Sequence, residues 1–132
     1  MGKQEIEITD PVCINEWRLV KGAEDQGIME KILSYDSETG NYTRLLKFPP
    51  GTRTDEVLKH DFCEEIYVLE GYLTDVNKEL TMKAGDYGCR PVGMPHGPYD
   101  IPNGCMTLEM RYQDPNKEID EDCSLMKMDF ER

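Results

Sequence analysis

The feature that most constrains this chain is a pair of glycine-bounded segments, which together contain its only two histidines. The first segment spans residues 51–71 and the second spans residues 85–96. Their turn-forming and polar residues are Gly51, His60, Glu64 and Gly71 in the first segment, and Gly85, Pro91, Gly93 and His96 in the second. Glycine and proline alone would indicate ordinary turns. The spacing of these residues relative to two imidazoles and a carboxylate is more specific than a series of turns would require.

Turn signals recur at short intervals along the rest of the chain. Between them lie segments with strand character, which we predict at residues 41–48, 64–69, 72–76, 79–82 and 105–112, with a turn at residues 70–71. Residues 28–35 fit a strand or a short helix equally well. Short strands with turns every eight to twelve residues or so are typical of an antiparallel barrel or sandwich, and not of βαβ units.

Composition bounds the class of protein and its partners. A chain of 132 residues is the size of one domain. Its net charge of −12 disfavours nucleic acid and anionic membrane surfaces, because both are bound by clustered lysine and arginine. We therefore expect a small molecule, a metal or another protein as the partner. The sequence has neither a signal-peptide pattern nor a membrane-spanning run, so a cytoplasmic location is expected.

The five cysteines are scattered, and none forms a C-x-x-C pair. In a cytosolic chain this pattern predicts reduced thiols, most of them acting as small buried hydrophobic residues. Cys63 is the exception, because it directly precedes Glu64 and could lie near a metal.

The residues around the histidines suit a metal site. On a strand, Glu64, Ile66 and Val68 share one face, while Glu65 and its alternate neighbours share the other. His60 precedes that strand closely enough to reach the pocket of Glu64. His96 follows the turn at residues 91–93, which can aim it across the barrel. Two imidazoles and one carboxylate with open positions suit Fe²⁺, and they also suit Zn²⁺ with a bound water.

The two segments resemble the paired motifs of the cupin superfamily over about residues 40–112. The stretches 60–71 and 90–98 are most similar to acetylacetone-cleaving dioxygenases and to the cupin half of zinc-dependent anti-sigma factors. This resemblance implies an all-β fold, a double-stranded β-helix or jelly-roll cupin barrel. It also implies that His60, Glu64 and His96 are metal ligands.

The match has three departures. Leu58 stands where the family has its first histidine, one extra residue follows Gly51, and Asp100 stands where the pattern has asparagine. The metal is expected to be divalent, with Fe²⁺ or Zn²⁺ favoured over Mn²⁺ or Ni²⁺. Three residues have the chemistry to replace the missing ligand, although none is at the family position: Asp55, Glu56 and Cys63. Glu65 competes with Glu64, but the spacing to Gly71 favours Glu64. The alternative is a barrel that has lost its metal and binds an organic ligand.

Inward-facing polar side chains would orient a substrate. We predict Arg44, Arg90 and Tyr99 in this role, with Leu58 as an apolar wall, since an arginine fork can bind a carboxylate or enolate through two contacts. Tyr42 and Arg111 are further candidates. For each arginine the competing interpretation is a surface ion pair of little energetic worth.

The sequence thus predicts a metal-dependent dioxygenase or lyase acting on a small oxygenated substrate, a dicarbonyl or an acid. Its rivals are a non-catalytic small-molecule sensor and a metal-free isomerising cupin, and no residue is a secure general base. We expect residues 1–132 to form one domain and to pair as a homodimer. An N-terminal arm with Ile6, Ile8, Val12 and Ile14 and a C-terminal tail should pack on the barrel. The tail's apolar residues are predicted to close the barrel or join a dimer seam: Leu125, Met126, Met128 and Phe130.

Overall fold

Almost all regular structure in this protein is β-strand. The computed structural model describes residues 2–7, 9–10 and 16–113. Apart from one 3-10 turn at Glu24–Gln26, the regular elements of these residues are nine strands. They are Arg18–Leu19 (β1), Met29–Tyr35 (β2), Tyr42–Phe48 (β3), Thr52–Arg53 (β4), Phe62–Asp75 (β5), Leu80–Lys83 (β6), Tyr87–Arg90 (β7), Tyr99–Ile101 (β8) and Cys105–Gln113 (β9).

The strands form a curled antiparallel sheet in the order β1-β2-β3-β9-β5-β8-β4, with β6 and β7 also paired to β5. This confirms the all-β jelly-roll barrel. It also resolves residues 28–35 as a strand, β2. Four strands were not expected from the sequence: β1, β4, β7 and β8. Each has only two to four residues, too few to show a period of two.

The prediction of a turn at residues 70–71 is wrong. Residues 62–75 form one continuous strand, β5, whose first part pairs with β9 and β7 and whose last part pairs with β6 and β8. The pairing register shifts between Val68 and Glu70, which is a bulge that bends the strand from one part of the sheet into the other. Gly71 has a φ of 71°, and a Cβ there would clash with the carbonyl oxygen of Gly104. The glycine therefore permits a bend and a close approach, and the chain does not reverse.

Side chains of β5 alternate between the interior and the outside, as the sequence pattern predicted. Ile66 is 1% exposed and Val68 is 0% exposed, whereas Tyr67 and Leu69 are each 40% exposed. The apolar core includes Leu46, Phe48, Leu73 and Ile101. Buried charged and polar side chains, among them Arg44, Glu64, Arg90 and Glu109, share the interior with this core, and the site lies among them.

In the N-terminal arm, Lys3 Nζ donates a hydrogen bond to Thr43 Oγ1 of the barrel at 3.1 Å. Ile6 is exposed and belongs to no strand. Ile8, Val12, Ile14 and the four apolar tail residues lie outside the described residues, so the predicted packing of arm and tail stays a prediction. Within the described ranges, no helix is long and apolar enough to cross a membrane.

Candidate metal centre

His60, Glu64 and His96 converge inside the barrel. The Nε2 atoms of the two imidazoles lie 2.7 Å apart, and Glu64 Oε2 lies 3.9 Å from His60 Nε2. One donor atom from each of the three residues lies within 4.8 Å of the others, and all three residues are buried. A group of this size and composition could hold a metal ion.

Local structure explains how residues so distant in sequence meet. His60 immediately precedes β5, and its carbonyl accepts a hydrogen bond from the Gly93 N–H at 2.8 Å. The chain turns at Pro91, whose carbonyl accepts from Met94 N–H at 3.0 Å. His96 then pairs through two backbone hydrogen bonds with Leu58. The two histidine segments are therefore held side by side by their backbones.

Neighbouring side chains fix the orientation of two of the three candidates. Arg90 donates from an Nη atom to Glu64 Oε1 at 2.7 Å, which leaves Oε2 turned toward His60. His96 Nδ1 lies 2.6 Å from the Tyr99 hydroxyl. If Nδ1 donates to Tyr99, Nε2 is left with its lone pair facing His60 and Glu64, as a metal ligand requires.

His60 is less completely satisfied. Its ring stacks on Phe62 with 4.6 Å between centroids, while its Nδ1 is buried and has no hydrogen-bond partner among the described residues. Its polar interaction is therefore concentrated at Nε2, the atom that faces His96. An unpaired buried nitrogen is costly, and an ion bound at Nε2 would leave that cost at Nδ1 in place.

Burial keeps both imidazoles neutral. Burial, and after it the Arg90 guanidinium, lowers the pKa of His60 to about 3. Burial also holds the pKa of His96 far below its usual range, again with Arg90 as the second cause. Neutral imidazole is the form that binds metals. At neutral pH both nitrogens are therefore available without loss of a proton to solvent.

A cavity of about 80 Å³ adjoins these residues, with Glu64 and His96 in its wall. Four of the residues that the sequence singled out for substrate contact line it, namely Arg44, Leu58, Arg90 and Tyr99, whereas the further candidates Tyr42 and Arg111 do not. The remaining wall is largely apolar. Arg90, His96 and Tyr99 also face a second, more open cavity of about 270 Å³, whose wall includes Lys78 and Met94. His96 can therefore be approached from two sides.

Three polar residues in the hydrogen-bond network around Arg44 were missed from the sequence: Glu30, Thr107 and Glu109. Arg44 binds Glu109 through two nitrogens, at 2.9 and 3.1 Å, and Glu30 through a third at 2.7 Å. Thr107 donates to the other oxygen of Glu109 at 3.2 Å. Burial and the nearby Glu64 raise the pKa of Glu109. The available signal was strand alternation on β9, which places Thr107, Glu109 and Arg111 on one face.

The competing ligand candidates lie elsewhere. Glu65 and Cys63 are on the outer face of β5, and Asp55 and Glu56 are exposed. Arg111 does face inward, with its guanidinium 4.0 Å from the Phe62 ring centroid and 5.6 Å from that of Tyr42. The choice of Glu64 over Glu65 thus agrees with the positions of the two side chains.

A small jelly-roll barrel with two histidines and a glutamate at one end defines a cupin with a candidate metal site. The chain belongs to the ChrR cupin-like domain family, whose sequence model matches residues 12–113. Among curated proteins, none matches this sequence.

Solved structures share the fold at low sequence identity. An RmlC-like cupin from Shewanella frigidimarina superposes with a TM-score of 0.65 at 18% identity, covering 88% of this chain and 97% of that one. An acetylacetone dioxygenase from Acinetobacter johnsonii gives 0.63 at 20% identity, covering 90% and 83%. The anti-sigma factor ChrR of Rhodobacter sphaeroides, in complex with SigE, gives 0.55 at 23% identity, covering 73% of this chain and 49% of that one. At these identities the likeness establishes the fold alone.

Proposed function

We propose that this protein binds one divalent metal ion through His60, Glu64 and His96. The observation that carries the proposal is the convergence of two neutral imidazole nitrogens and a carboxylate oxygen at one buried point. Two imidazoles and one carboxylate suit Fe²⁺ or Zn²⁺, with Mn²⁺ or Ni²⁺ as alternatives. Three protein donors leave coordination positions open, as a catalytic metal needs.

The surrounding residues support the donor set. Arg90 neutralises Glu64 and holds its free oxygen toward the histidines, while Tyr99 fixes the ring of His96. Such outer partners set ligand orientation and affinity in metal sites. Leu58 occupies the family position of a further histidine and lines the adjoining cavity. It would act as an apolar wall on the open side of the ion.

As an enzyme, the protein would be a dioxygenase or lyase for a small oxygenated substrate, a dicarbonyl or an acid. The metal, when bound, would supply Lewis-acid polarisation of a substrate oxygen. A cavity of about 80 Å³ limits the substrate to a few non-hydrogen atoms. Arg90 and Tyr99 line both cavities, so they are placed to orient a substrate that enters from the wider one.

A non-catalytic sensor is the second candidate, and one observation favours it. Arg44 and Arg90 both donate to buried carboxylates, Arg44 to Glu30 and Glu109 and Arg90 to Glu64. A substrate carboxylate would have to compete with these partners. Oxygen-dependent turnover of a dicarbonyl would select the dioxygenase, whereas tight ligand binding without turnover would select the sensor.

The metal assignment is tested by elemental analysis of protein purified without an affinity tag. With Cys63 and Cys89 replaced by serine in every protein so that their thiols bind no metal, we expect about one metal ion per chain when the three ligands are intact, and strong loss in His60→Ala, in His96→Ala and in the double variant. Glu64→Gln should also lose metal. Glu65→Gln is the matched control, because its carboxylate is on the outer face of the same strand, and it should keep the metal of this site. Stoichiometric metal in the double histidine variant would show that the site is wrong.

Homodimer formation and a cytoplasmic location also remain predictions. Light scattering of the purified chain would measure its mass in solution, and a mass twice that of the 15.2 kDa chain would support the dimer.

A further inference from the structure

Two cysteines and a glutamate meet on the outer face of the barrel, behind the histidine site. Cys63 and Glu65 point outward from β5, and Cys89 is on β7 directly opposite Glu65. The two Sγ atoms are 3.8 Å apart. The hydroxyls of Tyr87 and Tyr112 both donate to the Glu65 carboxylate. This group is separate from the histidine site because its side chains point to the other face of the same strands.

The separation of the two sulfur atoms matches a known coordination geometry. In a tetrahedral site with Zn–S bonds of about 2.3 Å, the edge between two sulfur ligands is about 3.8 Å. Cys63 and Cys89 hold this separation across two paired strands, so their backbones need not move to share one ion. A disulfide would need the sulfurs at about 2.05 Å, much closer than they lie.

The third residue of this group, Glu65, would bring a negative charge to a bound cation. Glu65 extends from the same face, and a carboxylate oxygen is an accepted zinc ligand beside thiolates. It lies directly across from Cys89 in the strand register, and it would have to release the hydroxyls of Tyr87 and Tyr112 to bind an ion. The chain has a net charge of −12, which also favours a cation at an exposed position.

We propose that Cys63 and Cys89 form a second metal site, selective for a thiophilic divalent cation such as Zn²⁺, with Glu65 as an oxygen ligand. Binding converts both thiols to thiolates and releases two protons to solvent. The outer site differs from the histidine site in ligand softness, because thiolates prefer softer cations than imidazole and carboxylate do. Water can complete the coordination, since Cys89 is exposed.

Cadmium is the probe that tells the two sites apart, because only thiolate ligands give it a sulfur-to-metal charge-transfer band in the ultraviolet. The reduced full-length chain is titrated with Cd²⁺, and the absorbance should saturate at one ion per chain. Cys63→Ser and Cys89→Ser should each weaken binding by at least about tenfold, the least that loss of a metal partner commonly causes. The band should persist in His60→Ala. Glu65→Gln should weaken binding less than loss of a thiol does.

Other thiols provide matched controls. Cys13→Ser and Cys123→Ser, which alter cysteines outside the described residues, should leave the cadmium band unchanged. A band that survives in the Cys63→Ser/Cys89→Ser double variant, or that vanishes in either control, would overturn the assignment. An unchanged affinity in Glu65→Gln would remove Glu65 from the site.

A second measurement needs no variant. Zn²⁺ should protect Cys63 and Cys89 from alkylation in the wild-type protein, as mapped by mass spectrometry of its peptides. Equal alkylation with and without Zn²⁺ would contradict the proposal. Air oxidation to a Cys63–Cys89 disulfide, in a chain whose reduced form binds no cadmium, would also contradict it and assign the pair to redox chemistry.

Discussion

Glu64 and Glu65 are neighbours in sequence, yet they belong to opposite environments. Glu64 points inward, is 3% exposed and is paired with the buried guanidinium of Arg90. Glu65 points outward and accepts hydrogen bonds from the hydroxyls of two half-exposed tyrosines. On β5 and β7, the inner face carries the ion pair of Glu64 and Arg90, while the outer face carries the thiols of Cys63 and Cys89 and the phenol of Tyr87. The comparison teaches that the period of two in a strand, and not residue type, decides which chemistry a carboxylate can join.

The two faces also differ in the free energy that is needed to place a charge on them. Buried ions lose their hydration, and this loss is compensated only if each ion keeps its partner. Glu30, Arg44 and Glu109 satisfy one another through direct contacts of 2.7 to 3.1 Å. On the outside, water solvates charges whether or not they are paired. Substitutions on the two faces should therefore differ strongly in effect.

The largest difference is expected for ion pairs. Arg44→Met should lower the free energy of unfolding by about 3–5 kcal/mol, because it leaves Glu109 buried without its paired cation and Glu30 with only the half-exposed Arg18 as a cationic partner. Arg53→Met is the matched change outside, where the guanidinium lies 3.6 Å from Asp100 and is mostly exposed. Arg53→Met should lower the free energy of unfolding by less than about 1 kcal/mol. Urea denaturation of the metal-free proteins measures both, and equal effects would contradict the distinction between the faces.

Acid should destabilise the protein through the inner face. In the folded chain, burial lowers the pKa of His60 to about 3, whereas an unfolded histidine titrates near 6.5. The unfolded state therefore binds the proton first, so stability is full above pH 6.5 and falls as the pH drops toward 3. Between pH 6.5 and 5, His60 should contribute a loss of about 2 kcal/mol. His96, whose pKa is lowered too, adds a loss of the same sign.

This window is informative because the chain has no other histidine. Denaturant unfolding of metal-free protein across pH 5–6.5 measures the slope, and His60→Ala should reduce it. Glu109 acts in the opposite direction, since burial raises its pKa and favours its protonated form on folding. Its stabilising contribution is lost as the pH rises from the unfolded pKa near 4.3 through its raised folded pKa, so the difference in slope between the wild type and His60→Ala, both of which keep Glu109, isolates the histidine. A slope unchanged in His60→Ala would refute the assignment.

Leu58→His tests whether the inner face has a position for one more ligand. Leu58 lines the cavity next to His96, so a histidine there should tighten metal binding by about tenfold, or 1.4 kcal/mol. We also expect lower native activity, because the apolar wall is lost. Val57→His is the control, since Val57 is 45% exposed. An affinity that is unchanged by Leu58→His would show that Leu58 is not at the ligand position.

The smallest effect is expected on the outer face. Cys89→Ser should change the free energy of unfolding of the metal-free protein by no more than about 0.5 kcal/mol, since Cys89 is exposed. Cys105→Ser offers the contrast, because Cys105 is 6% exposed within the apolar core. The buried hydroxyl of the new serine should lower the free energy of unfolding by about 1–3 kcal/mol. Similar values for the two cysteines would contradict the assignment of faces.

Strand position was easier to predict from sequence than strand continuity. Strand character between two turn signals predicts a strand at residues 41–48, and β3 occupies Tyr42–Phe48. The glycine at position 71 indicated a turn, because glycine most often marks one. The same residue serves a bend within β5, since only a residue without a Cβ fits against Gly104. Sequence alone does not distinguish these uses, because the neighbour that demands the glycine is distant in the chain.

For the site, the sequence determined the candidates and their chemistry. Two histidines and Glu64 indicated a metal centre, because local periodicity sets the direction of each side chain on a strand, and the resemblance of their segments to the cupin motifs implied the cupin fold. Only the tertiary structure decided which partners surround them. Glu30 and Glu109 come from strands far apart in sequence, and both meet Arg44. Cys63 and Cys89 likewise become neighbours only when β5 pairs with β7. Contacts between distant strands depend on how the sheet closes, and no local pattern in the chain encodes that closure.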